Sequence, residues 1–107
     1  MDFEVLIPEE PYSEIRLTID GKVYSVIFKY TDVSGWMFDL LSDDKSVEYV
    51  SGVPIRHSVS LLGRYKSQLP FSGDLICIKY TNTKDSLNLT NLGFEKDYRI
   101  IYLSEGV

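Results

Sequence analysis

The chain has 107 residues, 44% hydrophobic, 13% aromatic and 25% charged, a balance that excludes a disordered chain and supports one modest core in a single domain spanning residues 1–107. Its net charge of −5, with 11 scattered Lys and Arg, excludes a general nucleic-acid binder, because phosphate contacts need clustered cations. A lone cysteine, Cys77, excludes an intrachain disulfide and a Cys-rich zinc site, and fits a reducing compartment at the time of folding.

The opening "MDFEVLIPEE" is acidic and has no positive region followed by an apolar one, so it does not read as a signal peptide. No apolar stretch approaches the ~20 residues of a membrane span. Phe3, Val5 and Ile7 alternate as a short edge strand would, but Pro8 and Pro11 limit its pairing. This predicts an N-terminal arm within residues 1–13 rather than a core element.

"EIRLTIDGKVYSVIFKY", residues 14–30, reads as a β-hairpin. Two alternating runs flank Asp20-Gly21, and a two-residue type I′ turn needs positive φ at both positions. With those two as the loop, Ile19 opposes Lys22, Leu17 opposes Tyr24 and Ile15 opposes Val26. The apolar faces then coincide, and a one-residue slip would separate them. A second pair follows, with Trp36, Phe38 and Leu40 on one face and Met37, Asp39 and Leu41 on the other. Asp43-Asp44-Lys45 forms its turn, and Val47 and Tyr49 lie on the returning strand. Gly52 and Pro54 then interrupt regular pairing, as at a bulge or sheet edge.

Residues 53–71 contain apolar side chains of neither helical nor strand period. Two readings stand: a long crossing loop that caps the core, or an apolar run partly exposed and covered by another subunit. "GDLICIKY", apolar on both faces, predicts a central strand. A polar, turn-rich segment follows, with a helical turn expected near Thr90 to Leu92, and "YRIIYL", residues 98–103, is the last strand. Six or seven short strands predict an all-β fold, a small antiparallel barrel or sandwich.

The chemistry-bearing residues point away from catalysis. His57, the one histidine, has Ser58 and Ser60 beside it. A Ser/His nucleophile needs an orienting acid and an oxyanion hole, and there is no G-x-S-x-G elbow. Asp43 and Asp44 suit a turn and lack a third metal ligand at a recognisable spacing. Glu9, Glu10 and Glu14 suit a solvated surface, Asp39 is either solvent-facing or paired, and Cys77 reads as a small buried hydrophobe. None of the 7 glycines forms a phosphate cradle, so no cofactor or metal is expected.

Taken in order, "LIPEEPYSEIRLTIDGKVYSVIFKY", "GWMFDLLSDD", "VSGVPI", "SLLGRY", "LPFSGDL" and "NLGFEKDYRIIYL" resemble the small baseplate plug proteins of contractile-tailed bacteriophages. The resemblance runs from about Val5 to Leu103. It rests on the strand-Asp-Gly-strand start, Trp36-x-Phe38-Asp39-Leu40, Gly52-Val53-Pro54-Ile55, Leu61-Leu62-x-Arg64-Tyr65 and Leu92-Gly93. One departure is "SDDKS", where an Asp-Gly type turn is expected.

The resemblance implies a non-enzymatic structural protein of the virion tail, made in the host cytoplasm. Its partners would be other baseplate, hub or tail-tube proteins, with no membrane and no direct nucleic-acid contact. Cyclic tail assemblies imply several copies with three- or six-fold symmetry. The candidate contacts are Phe3, Val5, Leu6 and Ile7 in the arm, and Leu61, Leu62, Tyr65 and Phe71 in the central loop. The alternative is a small β-barrel module that binds an oligonucleotide or sugar on its aromatic residues. A small enzyme comes third.

Overall fold

Consecutive alternating segments pair with their neighbours to make the first of two sheets. A computed structural model describes residues 2–93 and 95–105. Its strands are β1 (Phe3–Val5), β2 (Tyr12–Ile19), β3 (Lys22–Thr31), β4 (Gly35–Ser42), β5 (Glu48–Pro54), β6 (Asp74–Lys79) and β7 (Tyr98–Leu103), with a short 3-10 segment at Gly63–Gln68. β2-β3-β4-β5 form a four-stranded antiparallel sheet, and β1-β7-β6 a three-stranded one. The fold is all-β, and the two sheets share no strand, which selects the sandwich over the closed barrel.

The β2–β3 hairpin has the expected register, Ile19 with Lys22, Leu17 with Tyr24 and Ile15 with Val26. Asp20 (φ 54°) and Gly21 (φ 78°) both take the positive φ that the turn demands. β4 buries Trp36, Phe38 and Leu40 against β3. A register shift between Phe38 and Leu40 leaves Asp39 without a direct cross-strand partner on β5, and Gly52 supplies the left-handed turn of the bulge (φ 63°). That bulge resets the inward face of β5. Val50 and Val53 are buried; of the expected pair, Tyr49 lies on the returning strand, half-buried, and Val47 stands exposed just before it.

The "SDDKS" departure also has a physical account. Asp44 Oδ1 accepts hydrogen bonds from the Ser42 and Ser46 hydroxyls and from the Ser46 amide. Lys45 takes the positive-φ position (φ 63°), so carboxylate bonding holds a longer turn where Asp-Gly would hold a shorter one.

The second sheet differs from expectation in three places. β7, not β6, is its central strand. β6 is buried because the crossing chain covers its free edge: Ser58 N–H donates to Cys77 O (2.7 Å) and Leu61 N–H to Leu75 O (2.9 Å). The N-terminal segment is an edge strand, as its alternation suggests, but no free arm. β1 pairs along β7, Phe3 opposite Tyr102, and Val5 and Ile7 enter the core; Pro8 and Pro11 lie beyond the strand and leave it unhindered. Residues 89–90 form a turn without a helix, and Leu92 bridges to Tyr98 instead.

One apolar cluster spans both sheets. Phe71, from the crossing loop, lies edge-on to Tyr24 of one sheet (5.4 Å between centroids) and to Tyr102 of the other (6.1 Å). The buried Trp36 indole donates to Asn88 O at 2.8 Å, which meets its polar requirement.

Candidate interaction surface

The segment between β5 and β6 passes from one sheet to the other and runs along the free edge of β6, and Asp74 fixes it there. This carboxylate is buried. It accepts from Leu62 N–H (2.9 Å), from Leu75 N–H (2.7 Å) and from the Ser60 hydroxyl. Three donors to a buried carboxylate hold the loop where hydrophobic burial alone would leave its backbone unsatisfied. Ile55, Leu61, Leu62 and Phe71 face inward, Tyr65 and Leu69 are half-buried, and Val59 is exposed. Most of the loop's apolar surface is therefore spent on this chain's own core.

That placement divides the sequence-derived contact residues. Val5, Ile7, Leu61, Leu62 and Phe71 are at most 8% exposed, because the two sheets need them to close their core. They have almost no free surface to offer. Phe3 is half-buried and stacks on Tyr102 at 5.0 Å. Leu6 is exposed, and Tyr65 is half-buried at the rim of a groove.

The groove lies between the end of β5 and the 3-10 segment and holds about 470 Å³. Pro54, Val59 and Tyr65 supply its accessible apolar surface over the buried Val53 and Leu61, and Arg56 and Arg64 its charge. Both arginines are exposed, and neither guanidinium makes a hydrogen bond or ion pair among the described residues. Neither arginine is among the sequence-derived contact residues, although the sequence carries a signal for them. Residues 49–73 hold Arg56, Arg64 and Lys66 but none of the 16 acids of the chain.

The histidine and serines do not converge on a catalytic geometry. His57 packs against Tyr98 (5.5 Å between centroids), and its Nδ1 is 3.3 Å from Ser58 Oγ. Ser60 is bonded to Asp74 and serves the loop. Among the described residues no three His, Cys, Asp or Glu side chains gather as a metal site. Cys77 is enclosed, and burial pushes its thiol up to about 12, far from a reactive thiolate.

Asp39 is paired. Lys29 Nζ lies 2.8 Å from its carboxylate, Gly52 N–H donates to it at 2.7 Å and the Ser51 hydroxyl at 3.3 Å. Burial alone would raise its pKa; Lys29 and the Gly52 and Ser51 donors outweigh that and hold it below the ordinary value.

The family model described as cyanophage baseplate Pam3 plug gp18 matches residues 3–105. No curated protein and no solved structure matches the chain.

Proposed function

This chain belongs to the cyanophage baseplate plug family, and from that premise we propose that it is a non-enzymatic structural component of a phage tail baseplate. The match over residues 3–105, nearly the whole chain, carries the reading. The protein is made in the host cytoplasm, enters the virion tail, and works through surfaces rather than side-chain catalysis. Its neighbours are hub, tail-tube or other baseplate proteins, and several copies stand in a ring of three- or six-fold symmetry. Contacts that are small in each copy persist in such a ring through multivalency.

The placement of the aromatic residues weighs against the alternative of a base- or sugar-stacking module. Tyr24, Trp36, Tyr98 and Tyr102 are buried, and of the exposed tyrosines Tyr12 begins β2 while Tyr80 follows β6 of the other sheet and lies under the Arg99 guanidinium, so they share no stacking platform. Size-exclusion chromatography with light scattering, of the protein alone and mixed with the tail proteins encoded beside it, tests the proposal. A ring-sized species or a stable complex is expected. A monomer that ignores every neighbour overturns it.

A further inference from the structure

The structure holds an apolar knob with one carboxylate and an apolar groove with two arginines that have no partner among the described residues, on different parts of the same chain. We propose that copies associate head to tail, with the β3–β4 hairpin tip of one seated in the Arg56/Arg64 groove of the next. The proposal rests on the baseplate reading for its setting and deepens it by naming the contact.

The tip is Thr31-Asp32-Val33-Ser34. Val33 is 97% exposed, against 48% for Val59 in the groove. A valine so exposed contributes nothing to this chain's own core, and it gains on docking. Asp32 beside it is exposed and makes no hydrogen bond or ion pair among the described residues. Ser34 N–H donates to Thr31 Oγ1 at 2.9 Å, so the tip is held in shape before it binds, which lowers the ordering cost.

The groove answers each of these features. Val59 and the β5 end give the valine an apolar seat, and Arg56 and Arg64 flank it with cations free to meet the carboxylate. Its volume of about 470 Å³ lies within the range of small-molecule clefts, about 300–1,000 Å³, enough for the side chains of a hairpin tip. The surrounding acid-free stretch, residues 49–73, sits on a chain of net charge −5. Two grooves face to face would oppose arginine with arginine, whereas a tip in a groove joins opposite charges, and head to tail the same contact can repeat from copy to copy. Repeated, such a contact builds a ring where the rotation closes. A groove waiting for another acidic tail protein is the rival occupant, and the variants below separate the two.

Light scattering on the full chain over a concentration and salt series is the test, with circular dichroism to confirm folding. The wild type should self-associate, more weakly at high salt. Asp32→Arg, and Arg56→Glu with Arg64→Glu, should each weaken association about tenfold or more. The three changes combined in one chain restore opposite charges and should recover it. An arginine double variant that assembles like the wild type overturns the proposal, as does a folded triple variant that fails to recover. A wild type that stays monomeric alone but still joins its tail neighbours overturns this contact while leaving the baseplate reading in place.

Discussion

The two sheets reach the same layered end by opposite routes. The four-stranded sheet is built from neighbours: β2, β3, β4 and β5 follow one another across connections of two to five residues. The three-stranded sheet gathers both ends of the chain, with Phe3 opposite Tyr102, and adds β6 from beyond the crossing loop. Local pairing closes short loops at little entropic cost, and non-local pairing must be secured by other contacts. Here those are the Asp74 carboxylate and Phe71, which touches a tyrosine of each sheet. The difference teaches that the chain returning from a distance, which has no hairpin to hold it, is fixed by a buried carboxylate and by an aromatic ring shared between the sheets.

Removing Asp74 should break that contrast most severely. Asp74→Ala leaves the Leu62 and Leu75 amides without their acceptor in a buried site, each such loss worth about 1–3 kcal/mol. A destabilisation of about 3 kcal/mol or more is expected by urea denaturation, with hydrogen exchange rising over residues 57–62 and 74–79 before the β2–β3 hairpin is affected. Gly73→Ala comes next. A β-carbon there would overlap the Tyr102 ring and hydroxyl, and the adjacent Asp74 contacts prevent the backbone from yielding. The cost should be about 1–3 kcal/mol, read in the same denaturation experiment.

The same contrast decides what was legible in the sequence. The β2–β3 register could be written down because alternation and Asp20-Gly21 each specify it within a few residues. The inward face of β4 was legible for the same reason. β6 reads as a central strand in the sequence because both-face burial looks alike whether it comes from neighbouring strands or from a crossing loop. The N-terminal segment read as an arm because its partner, β7, lies some hundred residues away and leaves no local mark. At the surface, the apolar spelling of Leu61, Leu62 and Phe71 suggested contacts, but only the packed fold shows that the core claims them. The charge asymmetry of residues 49–73 was present in the sequence, and the groove gave it a place.

The locally built sheet has its own buried carboxylate, which permits a matched comparison. Asp39→Ala removes the acceptor of Gly52 N–H and the partner of Lys29. Lys29 is exposed enough for water to screen part of the pair, so the loss should be about 1–2 kcal/mol, less than at Asp74. Acid should reveal the same contact. The folded state holds Asp39 below its ordinary value of 3.8, so its contribution is complete above that value and disappears as the pH falls through the folded value. Asp44, held down to about 2 by the Ser46 and Ser42 donors, has the same sign over the window from 3.8 to about 2. Melting temperature followed below pH 4 should therefore fall less steeply in Asp39→Asn than in the wild type. Parallel slopes would remove Asp39 from the account of acid stability.

The smallest effect belongs to the feature that was easiest to read. Gly21 sits at φ 78°, and a β-carbon there would meet nothing within 4 Å. Gly21→Ala thus isolates backbone strain from packing, at about 1 kcal/mol. If the hairpin register is set by side-chain alternation as well as by the turn, the variant should keep its Leu17–Tyr24 and Ile15–Val26 cross-strand proton contacts by nuclear magnetic resonance while losing that stability. A shifted register would mean that the turn alone specifies the pairing. A one-residue slip would then expose one of the two apolar faces, and the cost would rise toward that of the Asp74 variant.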